Sequence, residues 1–534
     1  MDERGDSPRL GAWWLEGLAV TLLFALFAGQ DVPAVNEAHY LAKARHFWDP
    51  AWCGRDLFLR SRDAHQVFAA TIGWLACLVS LPTVAWMGRL ATWAALATGW
   101  LRLSSELFPR TGTAFLSAGL WLALLDHGSM AGEWVVGGVE AKCWAYAAVF
   151  CGLSCMISER WNRGLAWLGL ATCFHVLVGG WAVVAAAAAW VGCGPFRPSV
   201  RALWPGFVAA GFLSLPGLVP ALLLTAGTDP SVATDAAWIY VYGRLSHHLV
   251  FHRFDPFAIA AFVGVIGVWL VAATATPCDL RAGHLGQRPL RGFVGGALAI
   301  AIAGALIDQL LLGQWELSAK LLRYYWFRLA DAVVPAGAAL AWVGVIVGFW
   351  TTRPRLARSL LAAALVVTVV GVARSGFEHG FFANHHGDPQ WNWLEREQLI
   401  DGRDRPAIAR QWRAACGWIR ENTPSDSLWI TPRHQQTFKW FAERAEVVNG
   451  KDVPQEALAV VEWQERREAL FPPETGAVGL TGLGERRLIE LARRYGAEYV
   501  LVDEFLGRRK LALPAVYPPS DSPAAFRVYR VAGP

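Results

Sequence analysis

The sequence predicts a mostly α-helical membrane protein: a polytopic bundle of about 11 transmembrane helices over residues 1–375, followed by a soluble α/β domain over 376–534. Three observations carry this. Hydrophobic residues make up 54% of the chain and charged ones 17%, with 29 tryptophans, which is too apolar and aromatic for an ordinary soluble enzyme. Apolar runs of spanning length recur through the first two thirds of the chain. From about Gly376 the composition turns polar, and helical and strand-like patterns alternate. The formal charge of +5 is modest and implies no nucleic-acid partner.

The N-terminal MDERGDSPRLGAWWLEGLAVTLLFALFAGQ joins a charged head to an apolar stretch without a small-x-small cleavage pattern, so it reads as a retained first helix at 12–29. Further spans are read at roughly 88–105, 111–126, 139–157, 164–174, 176–193, 202–225, 257–275, 292–312, 332–350 and 356–374. The pair between 164 and 193 reads equally as one long bent helix. The apolar piece from Gln66 to Gly88 is broken by Pro82, and its crossing decides the parity of every later helix.

Arginine settles the expected orientation, because it accumulates in every second connection: LRLSSELFPR, SERWNRG, FRPSVR, CDLRAGHLGQRPLR and TTRPRLAR. Short arginine-bearing loops are expected on the cytoplasmic side. The N-terminus is then cytoplasmic, 30–87 is a large external loop, and the C-terminal domain is extracytoplasmic, on the cytoplasmic (inner) membrane of a bacterium. The nine cysteines show no C-x-x-C and mostly lie in apolar runs, as small core residues do; Cys53 and Cys416 are expected outside the membrane.

In the C-terminal part, AIARQWRAACGWIRENTP has helical spacing and stops at Thr423-Pro424. SLWITP reads as a strand, and HQQTFKWFAERAEVVNG as helix then strand. QEALAVVEWQERREALF and LGERRLIELARRYG read as helices, the second ending at Gly496 before the strand AEYVLVDE.

Four segments of the expected outer side hold the residues that could do chemistry. In the first loop, EAHYLAKARHFW is expected as an amphipathic helix with Tyr40, Ala44 and Phe47 toward the membrane and Glu37 and His39 presented near its start; Asp56 lies further along the same loop. In GEWVVGGVEAK, Glu133 and Glu140 share a face if the run is helical, with Lys142 at the top of the next span. Charges there are costly and mark a pathway or a site, or else snorkel to the interface. In YVYGRLSHHLVFHRF, Arg244, His247 and His248 have the spacing of one cationic helix face, suited to a phosphate. In SAKLLRYYWFRLAD, Lys320, Arg323 and Arg328 surround aromatic residues, as an interfacial belt or a second phosphate contact. Asp126 and Asp308 add acids near the outer ends of expected helices.

This layout resembles the GT-C superfamily of polytopic membrane glycosyltransferases: a first helix, a large external loop with an early acid (Glu37 in NEAHY), arginine at the cytoplasmic start of a later helix (GRL, Arg89), a second acid motif and an external α/β domain. GEWVVGGVEAK, RLSHHL and WIRENTPSDSLWITP are similar to strings in an uncharacterised bacterial membrane protein family of that plan. The resemblance implies transfer of a sugar from a polyprenyl-phosphate carrier at the outer face of the membrane, with a loop acid as base and often a divalent metal, Mg or Mn. It makes Glu37 the first candidate base and Asp56 the second, with Glu37 and His39 as possible metal ligands. Arg244, His247, His248, Lys320 and Arg323 would hold the leaving phosphate, while Glu133 and Glu140 would position the acceptor or orient Lys142. No D-x-D pair stands in the first loop; Asn36-Glu37 with His39 takes its place. The competing readings are a transporter or flippase of a lipid-linked or anionic solute, and a non-catalytic membrane scaffold.

Overall fold

The computed structural model describes residues 10–34, 36–276, 286–378, 380, 404–506, 510–519 and 523–531. The chain divides into two compact units, each assembled from three stretches. One comprises Met1–Gln30, Gly88–Leu222 and Tyr240–Ala383; the other comprises Asp31–Met87, Leu223–Ile239 and Asn384–Pro534. The division expected from composition, at 375/376, therefore differs in that 31–87 and 223–239 cluster with the C-terminal stretch.

The first unit is helical. Among the described residues, six helices are long and apolar enough to cross a membrane: Gly11–Ala28, Val200–Leu223, Pro256–Ala275, Arg288–Leu310, Arg328–Thr352 and Pro354–Glu378. A helix satisfies all its backbone polar groups internally, which is what an apolar surrounding requires. Their burial separates centre from periphery. The most apolar stretch of Arg328–Thr352 is 78% buried, that of Val200–Leu223 only 17%, with side chains such as Phe212 and Leu222 turned outward as lipid-facing residues are. Small residues let Arg328–Thr352 take the central place: a Cβ on Gly337 would lie 2.6 Å from Val294 Cγ2.

Packed indoles fasten this bundle. Trp100 and Trp121 stack at 4.6 Å, and both ring nitrogens are satisfied, by Ala114 O and Ser117 Oγ for Trp100 and by Ala332 O for Trp121. The Thr113–Gly128 helix receives its N-terminal cap from another helix, since Glu16 Oε1 accepts the backbone N–H groups of Gly112, Ala114 and Phe115 at 2.9, 2.9 and 3.2 Å. The stretch read as one bent or two helices is two, Trp161–Phe174 and Val176–Gly192, parted by His175 in extended conformation. Arg89 lies inside the Leu81–Leu107 helix and donates to the carbonyl of Gln30, just past the Leu10–Ala28 helix. Arg89 and residue 30 thus share one end of the bundle, which corrects the expectation of Arg89 at a cytoplasmic helix start with residue 30 outside.

The second unit is built on a five-stranded sheet: β1 Leu428–Ile430, β2 Ala445–Glu446, β3 Tyr499–Asp503, β4 Ala515–Tyr517 and β5 Phe526–Arg530, in the order β2-β1-β3-β5-β4. β1 pairs in parallel with β2 and β3, while β5 runs antiparallel to β3 and β4. The apolar face of the Arg405–Asn422 helix, Ile408, Trp412, Ala415 and Ile419, packs on Trp429, Phe438, Leu501 and Phe526. The helix Gly484–Tyr495 ends where expected, at Gly496 with φ 72°, a conformation glycine adopts without steric cost.

The earlier stretches join this unit by packing. The expected Glu37–Trp48 helix is present, but Glu37 and Ala44 are fully buried while Phe47 is exposed, so the predicted presentation of Glu37 does not hold. Ala44 is covered by a close backbone approach, since a Cβ on Gly73 would lie 2.1 Å from Ala44 O, and Glu37 is turned in to accept Ala34 N–H at 2.7 Å. The Pro230–Trp238 helix packs against Ala457–Leu470, which accounts for the membership of 223–239.

Candidate functional site

The residues singled out from the sequence fall in both units and form two groups.

In the helical unit, residues 129–140 are not helical, so Glu133 and Glu140 do not share a helix face. They converge by another route. Gly132 turns the chain at φ 71°, and Glu140 directly precedes the Ala141–Ile157 helix that carries Lys142. The Lys142 ammonium then lies 3.6 Å from Glu133 Oε1 and 3.6 Å from Glu140 Oε2, and 3.9 Å from the centre of the Trp134 ring. Arg328 completes the group: its Nε donates to Glu133 Oε2 at 3.1 Å, and its Nη1 to His175 Nε2 at 3.1 Å. Glu133, Glu140 and Lys142 are all buried. Two cations facing two carboxylates make the group close to neutral, the only condition under which such charges are tolerated away from water.

A third acid holds the loop. Asp331, one turn along the helix from Arg328 and fully buried, accepts the backbone N–H groups of Met130, Ala131 and Glu133 at 3.0, 2.9 and 3.3 Å. His248 closes on the same loop, with Nδ1 against the carbonyl of Ala131, and its ring lies 4.0 Å from that of His247, tilted by 44°. The continuous cationic helix expected over 244–248 is absent: a π-helical turn, Ile239–Arg244, ends before the separate short helix Ser246–Leu249. Arg244 and His248 therefore do not share one helix face. Lys320 is exposed at the last turn of Trp315–Leu322, Arg323 comes just after it half-buried, and neither makes an ion pair among the described residues. Asp308 accepts from His252, backbone and ring, and Asp126 from Ser375.

In the other unit, the centre of charge is Lys439, on the short helix Phe438–Ala442. Its ammonium lies 2.6 Å from Glu446 Oε1, 2.7 Å from Asp452 Oδ2 and 3.2 Å from Asp56 Oδ2, with all four side chains 4% exposed or less. Burial opposes its charge, but Asp452, Asp56 and Glu446 outweigh burial and hold its pKa well above the usual lysine value. Asp452 goes the other way: burial would raise its carboxyl, yet Lys439 and His39 hold it below the usual carboxylate range. Glu446 is raised, burial being the largest cause, although Thr431, Gln435 and Asn449 all donate to it.

The first-loop residues attach to this centre. Asp56 caps the Leu57–Arg60 turn through Leu59 N–H at 3.0 Å and also receives Glu446 N–H at 3.3 Å. Glu37 is fully buried and accepts Ala34 N–H at 2.7 Å. His39 Nδ1 meets Asp452 Oδ1 at 2.9 Å, and the His39 side chain is 21% exposed. Lys43 donates to the carbonyls of Phe58, Leu59 and Ser61; burial lowers its pKa to about 8. Glu37 and His39 do not form the expected metal pair, since each engages a different protein group, and among the described residues no three His, Cys, Asp or Glu side chains converge to hold an ion.

Sequence reading missed Lys439, Glu446, Asp452, Asp331 and His175. Asp331 carried a signal, an acid within an apolar span. Lys439, Glu446 and Asp452 carried none, because their partners are remote in sequence.

A protein-family model, described as a domain of unknown function (DUF6798), matches residues 410–470. That stretch contains Lys439, Glu446 and Asp452 but only a small part of the chain. No curated protein matches the sequence.

Proposed function

We propose that this chain is an integral membrane glycosyltransferase that moves a sugar from a polyprenyl-phosphate donor to an acceptor at the outer face of the bacterial cytoplasmic membrane. About eleven crossings, a cytoplasmic N-terminus and an extracytoplasmic second unit belong to the same proposal. The observation that carries it is the buried Glu133–Lys142–Glu140 group with Arg328 and His175 in a unit of apolar helices. A neutral span needs none of these charges, and maintaining them in an apolar surrounding costs several kcal/mol before pairing, at about 2.5–3.5 kcal/mol for each charge at a span centre. In the reaction, an acceptor hydroxyl attacks the anomeric carbon as the bond to the phosphate oxygen breaks. Cations without an ion pair among the described residues, Lys320 and Arg323 first, suit the departing phosphate. No step is routed through a metal, since Glu37 and His39 are engaged elsewhere.

A scaffold is the second reading, favoured by the observation that Asp56, Glu133 and Glu140 each face a lysine or arginine of their own unit. The experiment that separates the two is transfer of radiolabelled sugar from polyprenyl-phosphate donors by the purified protein in lipid nanodiscs, with and without Mg or Mn, comparing wild type with Glu140→Gln. Transfer that disappears in a folded Glu140→Gln protein supports the enzyme. Absence of transfer from every donor, with retained binding of the lipid phosphate, supports the scaffold.

A further inference from the structure

We propose that His39, oriented by Asp452, is the proton-accepting group of the second unit, a general base for a hydroxyl or water proton presented to that unit.

Both acids favoured by sequence are occupied. Asp56 spends its two oxygens on Leu59 N–H, Glu446 N–H and the Lys439 ammonium. Glu37 is fully buried with a carboxylate oxygen on Ala34 N–H. Neither is presented to a substrate hydroxyl. His39 is different: it is the residue of this network whose side chain reaches solvent, at 21% exposure against 3% for Asp452.

The tautomer is set by chemistry. An ionised carboxylate only accepts hydrogen bonds, and Asp452 is held ionised by the Lys439 ammonium 2.7 Å away. The proton of neutral His39 therefore sits on Nδ1, which donates to Asp452 Oδ1 at 2.9 Å. That leaves the Nε2 lone pair as the accepting site. Phe58, with its ring 4.3 Å from the imidazole, and Tyr40, at 5.4 Å, fix the ring plane. Lysine, aspartate and histidine thus form a chain in which the carboxylate orients the imidazole and stabilises the imidazolium that forms, a division of labour known from triads on unrelated folds.

The dyad is tested without any substrate. Diethyl pyrocarbonate acylates an accessible neutral imidazole, so the full-length protein in nanodiscs is labelled briefly and its thirteen histidines are ranked by peptide mass spectrometry. His39 is expected to label several-fold faster than buried His46 and His434, and several-fold slower in Asp452→Asn, where Asp56 and Glu446 still neutralise Lys439. Labelling of His39 no faster than His46, or unchanged in a folded Asp452→Asn protein, overturns the dyad.

Discussion

Replacing Lys439 by methionine removes the one ammonium that three buried carboxylates share. Asp56, Glu446 and Asp452 are each 1–3% exposed and lie within 3.2 Å of it. Methionine fills the space but leaves Asp56 and Glu446 without a cation, and Asp452 with His39 alone. Removing one member of a buried ion pair costs about 3–5 kcal/mol. At 1.36 kcal/mol per factor of ten, that loosens the second unit by roughly 10²- to 10⁴-fold. Hydrogen exchange of the β1 and β3 amides in the full-length protein reads this directly as lost protection, provided exchange proceeds by unfolding of the unit.

The pH dependence separates electrostatics from lost packing. In wild type, the Asp452 pKa is depressed in the folded state, so its contribution is complete above the unfolded value near 4 and is lost as pH falls through the folded pKa. The Lys439 pKa is raised, so its contribution is complete below about 10.4 and is lost only as pH rises through the folded value. Glu446, raised, offsets part of the acid loss, because its protonation favours the folded unit. Wild-type protection from this centre is therefore lost toward the acid end as Asp452 protonates and toward the alkaline end as Lys439 deprotonates. In Lys439→Met the uncompensated carboxyls are all pushed up, and the deficit shrinks as the pH is lowered from 8 to 5. A variant with wild-type protection at pH 8, or with the same deficit at both pH values, refutes the reasoning.

Asp331→Asn is expected to free at least one of the three N–H groups of the 129–133 loop, since an amide oxygen replaces only one of the two accepting oxygens. A buried donor left unsatisfied costs about 1–3 kcal/mol, measured as a lower thermal midpoint in nanodiscs and faster proteolysis between 129 and 140. Glu16→Ala strips the N-terminal cap from the Thr113–Gly128 helix and is expected to cost about 0.5–2 kcal/mol, with Glu16→Gln retaining part of it; equal stability of both variants and wild type contradicts the capping role. Gly496→Ala forces a side chain into φ 72° and within 3.1 Å of Arg55 Nη2, for a loss of about 1 kcal/mol or more in denaturant unfolding.

How far the sequence could be read depended on the range of the interaction involved. Helix ends set by local chemistry were legible: the Arg405–Asn422 helix stops before Pro424, and the Gly484–Tyr495 helix stops at Gly496. The apolar runs marked the spanning helices for the same reason, since composition is local. β4 and β5 went unread because AVY and FRVYR are too short to show a period and owe their pairing to β3. The Glu133–Lys142–Glu140 group was anticipated by residue type but not by geometry, because a loop turned at Gly132 does what a helix face was expected to do. Lys439 lay beyond reading altogether: only the folded chain relates it to Asp56.

That last relation has a consequence for how the protein is made. Asp56 and Glu446 are 390 residues apart, and His39 and Asp452 are 413 apart. A ribosome delivers the 31–87 stretch long before its partners, so this early loop must wait, charged and unpaired, while the intervening helices are inserted. The second unit closes only after residue 452 has emerged, which makes its completion a late checkpoint on synthesis of the whole chain. A fragment cut at 376 for separate expression would lack Asp56 and His39, and would inherit a lysine surrounded by only part of its counter-charge.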